Sequence, residues 1–325
     1  MIHLVYNRRY NISFFGLERM HPFDSQKYGR AWKELKAEFG HRLRKITRSP
    51  GRAIRLDELL LVHTSDYLDR LRDAKYLAGA LEMPILARLP PWLIDWRVLR
   101  PMRWATMGTV VAAREALRSG FVVNLAGGYH HAKPAEGEGF CIYADVAIAV
   151  ALLRRERLLA EDARVAYVDL DAHQGNGVCH CFQDDRRFFT FDMYNSQIYP
   201  AYDRRARERI DCDLPLSNGC TGDEYLRTLK TRLPPFLESV TRSSPVGLAI
   251  YNAGTDVFEG DMLGGLRLSF EDVLERDAFV VEEFRGRGLP VLMLLSGGYS
   301  RDSYRLVAES LKRLLTVHGF PKAAR

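Results

Sequence analysis

Asp169, Asp171 and His173 occupy alternate positions in "YVDLDAHQGNG", a run that begins as a buried strand at Tyr167 and Val168. Charges are costly at the end of an apolar strand unless something there uses them. Alternate side chains of an extended segment share a face, and aspartate with histidine is a common donor pair for a first-row divalent metal. Asp256, ending the later apolar run "VGLAIYNAGTD", supplies a third ligand. One imidazole and two carboxylates leave positions open for water and substrate, which suits catalysis better than a closed structural site. Singly, Asp171 or His173 would read as a capping or core-satisfied polar residue; three converging strand-end ligands point to a metal.

His130 and His131 follow Gly127-Gly128 in "GGYHHA". Adjacent side chains on a strand diverge, but the glycines permit a bend that turns both imidazoles to one pocket. A histidine there is the natural general base, and then the acid for a leaving amine. Each imidazole needs an acceptor on its other nitrogen; Asp169, which need not touch the metal, and Asn176 are available. Tyr299, reached through Gly297-Gly298 in "LLSGGYS", could aim its phenol at a polarised carbonyl and stabilise an oxyanion.

These residues share a setting. Apolar runs ("FVVNLAGGYHH", "ARVAYVDLDAH", "RFFTFDMYN", "VGLAIYNAGTD", "LPVLMLLSGGYS") alternate with helical patterns from about residue 104 onward. That alternation predicts an α/β fold whose parallel sheet is covered on both faces, and in such sheets ligands bind beyond the carboxyl ends of the strands. Nearly every polar side chain of chemical interest in the second half falls at one of those ends. The first hundred residues read mainly as helices and loops, with helical periodicity in "SQKYGRAWKELKAEFG" and again in "LDELLLVHTSDYLDRLRDAKYLAG". "MPILARLPPWLIDW" is Pro-broken, apolar and aromatic, either a packed loop or part of a pocket rim.

With 325 residues, 47% hydrophobic and 27% charged, and no repeat or linker, the chain is expected to form one large domain, residues 1–325. The net charge of +6 is spread among acids, with none of the clustered stripe that direct nucleic-acid binding requires. No window approaches the ~18 apolar residues of a membrane span. Five cysteines without framework spacing, and no secretory apolar region, point to a reduced, cytoplasmic protein. Cys179-His180-Cys181 mimics a metal motif, but its side chains would diverge where a helix begins, so it reads as incidental.

In order along the chain, "VYNRRYNISFFGLERMHPFDSQKYGR", "VLRPMRWATMGT", "GGYHHA", "GFCIYADVAIA", "YVDLDAHQGNG", "IYP", "YNAGTDVFEGDMLGGLRLS" and "RGRGLPVLMLLSGGY" resemble the zinc-dependent histone deacetylases. The likeness is strongest to the class IV, histone deacetylase 11-like branch. It implies the arginase-deacetylase fold and zinc held by Asp171, His173 and Asp256; ferrous iron suits the same ligands. It further implies His131 as general base and acid, His130 as its electrostatic partner oriented by Asp169, and Tyr299 polarising the amide carbonyl. By the same likeness Gly139 offers a carbonyl to substrate, Gly298 lies against it, Phe140 and Tyr199 wall an acyl-lysine tunnel, and Asp261 supports the zinc-ligand loop. A structural potassium ion is implied at Asp169, Asp171 and His173, with carbonyls near Asp192.

One departure matters. Most deacetylases carry a second Asp where this chain has Asn176, which can accept the imidazole hydrogen bond without bringing a charge and so raises the His131 pKa less. The implied reaction is hydrolysis of acetyl or longer acyl groups from lysine in proteins or peptides. Alternatives are small N-acyl amines such as acetylpolyamines, which relatives favour through rim acids, and a catalytically silent acyl-lysine-binding module. "LARLPPWLIDW", apolar apart from Arg88 and Asp95, offers no acid at the rim. An arginase-like two-metal centre would need Asp and His ligands that these motifs lack.

Overall fold

The computed structural model describes residues 1–325 except 15, 17, 19–21, 201, 243, 244 and 321–325. Phe15, Leu17, Arg19, Met20 and His21 of the amino-terminal motif therefore lie outside the described residues. Among the described residues eight strands form one sheet: β1 (Ile2–Val5), β2 (Thr47–Arg48), β3 (Phe121–Asn124), β4 (Arg164–Asp169), β5 (Phe188–Asn195), β6 (Cys212–Leu216), β7 (Val246–Asn252) and β8 (Val291–Leu294). Their order is β2-β1-β3-β8-β7-β4-β5-β6, and each neighbouring pair is parallel. All the carboxyl ends thus open on one edge.

Both faces of the sheet are buried, which explains the near-continuous apolar runs. Ala166, Val168, Ala249, Tyr251, Val291 and Met293 pack beneath α1 (Lys27–Phe39) and three helices from the second half. The alternate residues Val165, Tyr167, Leu248, Ile250, Leu292 and Leu294 pack beneath α2 (Arg100–Ser119) and α3 (Asp145–Arg155). A short α4 (Asn176–Cys181) follows the ligand loop, and α5 (Gly222–Thr241), α6 (Phe270–Gly286) and α7 (Ser303–His318) complete the first layer.

Three elements depart from the sequence reading. β1 and β2 are short strands in a region expected to hold helices and loops, and β6 is a further strand of five residues. β6 carries Pro215, which a central strand would reject, but it lies at the edge of the sheet. "LDELLLVHTSDYLDRLRDAKYLAG" divides into helices at Leu56–Leu59, Ser65–Arg70 and Ala74–Ala80. Thr64 accepts the Tyr67 N–H and Asp73 accepts the Lys75 N–H, so each cap restarts the helix instead of letting one run through.

"MPILARLPPWLIDW" is helical rather than a loop. A 3-10 turn at Pro84–Arg88 leads to Pro91–Ile94, which passes through a π turn at Asp95–Leu99 into α2. Prolines are tolerated in a first turn, where no N–H partner is lost. Arg103 grips Asp95 with two hydrogen bonds, 2.6 and 2.9 Å, across the π turn.

Candidate active site

The loops after β3, β4, β7 and β8 meet at the carboxyl edge. Asp171, His173 and Asp256 are buried there, and one donor atom from each lies within 4.8 Å of the others. His173 Nδ1 is 3.1 Å from Asp171 Oδ1 and 3.0 Å from Asp256 Oδ2. Burial and the neighbouring Asp171 carboxylate push Asp256 up to about 7. Two carboxylates buried together without a cation would compel one to keep its proton, so the donor set fits a divalent metal. Among the described residues this is the single group of three donors with such spacing. Cys179 and Cys181 take no part in it, and His180 instead bonds Asp203 through Nε2 at 2.9 Å.

Asp145 builds the bend before the histidines: its carboxylate accepts the N–H groups of Gly128 and Tyr129, each at 2.9 Å. The two imidazoles then lie side by side, with centroids 4.1 Å apart. His130 Nδ1 bonds Asp169 Oδ2 at 2.9 Å, and His131 Nδ1 bonds Asn176 Oδ1 at 2.8 Å. Asp169 is itself pinned by Tyr167 Oη (2.7 Å), Asn252 Nδ2 (2.9 Å) and the Asp171 N–H (3.1 Å). Burial lowers the His130 pKa, but the Asp169 and Asp171 carboxylates outweigh it and hold the ring at about 9. His131 goes the other way: burial, His130 and His173 depress it well below 6.5, and the Asn176 bond recovers only part.

Tyr299 packs edge-on against His173, centroids 5.8 Å apart, and its phenol is pushed well above 10 by burial and the Asp171 and Asp256 carboxylates. Asp261 ties two loops together. Its Oδ2 accepts the Tyr299 N–H at 2.6 Å and the Ser300 N–H at 3.0 Å, while Oδ1 accepts the Leu263 N–H at 2.9 Å. Gly298 has φ +134°, and a Cβ there would lie 2.1 Å from Thr255 Oγ1.

Gly139 and Phe140 form a tight turn between Glu138 and Cys141, with φ +52° and +65°. A Cβ on Gly139 would lie 2.5 Å from His131 Cδ2, so glycine is required by space as well as by backbone. Phe140 packs against Tyr299, and Tyr199 stands edge-on to His131 with centroids 5.0 Å apart. A cavity of about 90 Å³ is lined by both histidines and Tyr299 and by the apolar Leu81, Met83, Leu86, Val98 and Met102. Of the Pro-broken segment, Met83 and Leu86 thus line the cavity. Glu138, hydrogen-bonded to Tyr199 and to Asn176, is an acid beside the histidines that the sequence reading did not identify.

Two further cations were not anticipated. Lys27 is buried and donates to the carbonyls of Ser296 (2.8 Å) and Gly297 (2.5 Å), fixing the loop that carries Tyr299. Burial lowers its pKa to about 8, against the pull of Asp256, Asp171 and Asp261. Arg276 of α6, also buried, donates to the carbonyls of Leu170 (3.1 Å) and Gly254 (2.7 Å), clamping both ligand loops. The available signal was position. Lys27 shares an i, i+4 stripe with Ala31 and Leu35, and Arg276 falls among Val273, Val280 and Phe284 on the buried face of its helix.

Comparison with known proteins agrees with this architecture. Residues 21–315 match the family model of the histone deacetylase domain. Histone deacetylase 2 of Arabidopsis thaliana is 40% identical over 96% of this chain and 78% of its own length. An uncharacterized protein of Picosynechococcus sp. is 36% identical over 77% of each chain. The crystal structure of the HDA15 HD domain superposes with a TM-score of 0.75 at 19% identity, covering 99% of this chain and 91% of that one, so the arginase-deacetylase fold is shared. Kinship that spans nearly the whole length of the chain, and not the site motifs alone, makes this chain a member of the histone deacetylase family.

Proposed function

We propose that the chain is a metal-dependent amidohydrolase that removes acetyl or longer acyl groups from N-ε-acyl-lysine, with residues 1–325 acting as one catalytic domain. The observation that carries the reading is the meeting of Asp171, His173 and Asp256 beside the His131 imidazole and the Tyr299 phenol, both of which line one cavity. Zinc is the ion the family likeness favours, and ferrous iron suits the same donors. When bound, such a cation polarises the amide carbonyl and lowers the pKa of an attacking water.

The protein's own groups do the rest. His131, with Nδ1–H given to Asn176, presents the Nε2 lone pair as base and returns the proton to the leaving lysine amine. Its depressed pKa keeps that lone pair available at neutral pH. Tyr299 stays protonated and donates its O–H to the developing oxyanion. His130, paired with Asp169, supplies a fixed positive charge behind the base. Gly139, Phe140, Tyr199 and Gly298 are read as the walls that orient the acyl-lysine, and Asp261 as the support of the Tyr299 loop. The largely apolar cavity that the histidines line suits an acyl chain longer than acetyl. Asp192 Oδ1 is buried without a partner, which suits a structural potassium ion held by Asp169, Asp171 and His173 with carbonyls near Asp192.

A second reading, hydrolysis of acetylpolyamines or other small cationic N-acyl amines, draws support from Glu138 beside Tyr199. One preparation of known metal content, assayed on acyl-lysine peptides of increasing chain length and on acetylpolyamines, separates the two. Turnover of the peptides, abolished by chelation and restored by zinc, is expected. Turnover of polyamines alone would move the substrate to the second reading. No turnover of either by metal-loaded protein would leave a silent acyl-lysine-binding module.

A further inference from the structure

Asn176 brings no charge to His131, yet its amide is not free to turn. Nδ2 donates to Glu138 Oε1 at 2.6 Å and to Asp203 Oδ2 at 3.2 Å, while Oδ1 faces His131 Nδ1. An asparagine amide fits almost equally well in either of two orientations, and its hydrogen-bond partners choose between them. Ionised carboxylates accept only, so with two of them on one side the NH₂ group must face them. Oδ1 is then left for the imidazole, and the neutral ring has to carry its hydrogen on Nδ1. The opposite orientation would place NH₂ against His131, force the hydrogen onto Nε2 and remove the lone pair that faces the cavity.

We propose that Glu138 and Asp203 are positioning residues that lock the Asn176 amide and thereby set the His131 tautomer. The two acids are themselves held. Lys133 Nζ lies 2.8 Å from Glu138 Oε1 and 3.6 Å from Asp203 Oδ2, and its ammonium offsets their mutual repulsion. His180 Nε2 bonds Asp203 Oδ2 at 2.9 Å, and Asp203 Oδ1 accepts the Ala206 N–H at 3.1 Å. Glu138 is fixed through its backbone, which exchanges hydrogen bonds with Cys141 across the Gly139-Phe140 turn.

This inference rests on the reading of His131 as the base, but its test does not. In zinc-loaded protein with ¹⁵N-labelled histidine, His131 should show a protonated Nδ1 and an unprotonated Nε2. The Glu138→Ala/Asp203→Asn double variant should show a mixture with the other tautomer. A wild-type ring protonated at Nε2, or a spectrum the double variant leaves unchanged, overturns the proposal whether or not the protein turns over substrate.

Kinetics give a second reading. Glu138→Ala should lower kcat by about tenfold, as loss of an outer-shell partner does, with KM nearly unchanged. Glu138→Gln, which keeps an acceptor oxygen, should recover most of that loss. In an Asn176→Asp background the sign should reverse, because Glu138→Ala then relieves a cluster of like charges. An equal loss in both backgrounds would mark Glu138 as a support of the turn and sink the assignment.

Discussion

His130 and His131 are chain neighbours in ring contact, yet the molecule treats them as different chemical groups. On one side, Asp169 and Asp171 keep His130 charged at neutral pH. On the other, the uncharged oxygen of Asn176 leaves burial and nearby cations free to keep His131 neutral. A charged imidazole can stabilise but cannot take a proton, and a neutral one can. The pair therefore divides the labour through its surroundings, two carboxylates beside one ring and an uncharged amide beside the other.

The sharpest way to break that division is to delete each ring in turn. His131→Ala should cost about 10³-fold in kcat, as expected for a lost general base, with the melting temperature nearly unchanged. Tyr299→Phe should follow with a loss of about 10²-fold, the effect of removing one oxyanion donor. His130→Ala should cost only on the order of tenfold, about 1.4 kcal/mol of transition-state stabilisation. Equal losses for the two histidines would mean that their roles are shared.

Asn176→Asp makes the two sides alike. Its added charge raises the His131 pKa, so the acid limb of kcat/KM should move to higher pH. The same carboxylate, placed beside Glu138 and Asp203, should also lower the melting temperature. The smallest expected effect is in stability. The His130 pKa of about 9 in the fold exceeds its ordinary 6.5, so its pairing stabilises fully below pH 6.5 and is lost as pH rises through 9. Urea midpoints of wild type and Asp169→Asn, followed between those limits, should converge as pH rises. A constant gap would show that the ion pair does not form.

Much of this was legible in the sequence because chemistry and burial conflict at strand ends. Asp169, Asp171, His173 and Asp256 stand out because each interrupts an apolar run, and β3, β4, β5, β7 and β8 because those runs are otherwise unbroken. What stayed hidden lacked such contrast. β2 is two residues long and β6 alternates at an edge, so neither carries a distinctive pattern. Lys27 and Arg276 could have been noticed as cations on apolar helix faces, but their targets are backbone carbonyls 270 and 106 positions away, which periodicity cannot name. The two acids around Asn176 were invisible for a related reason: Glu138 and Asp203 lie in polar loops where one more carboxylate attracts no notice.

The strand order has a consequence for how the protein comes into being. Among the described residues β8, the last strand in chain order, is the only strand that pairs with both the ribbon β2-β1-β3 and the ribbon β7-β4-β5-β6. The histidine pair follows a strand of the first ribbon and the metal-ligand loops follow strands of the second, so without β8 each ribbon would end in an unpaired edge. The two halves of the site are thus brought into register by the pairing of one four-residue strand, a dependence that contacts local in sequence would not impose.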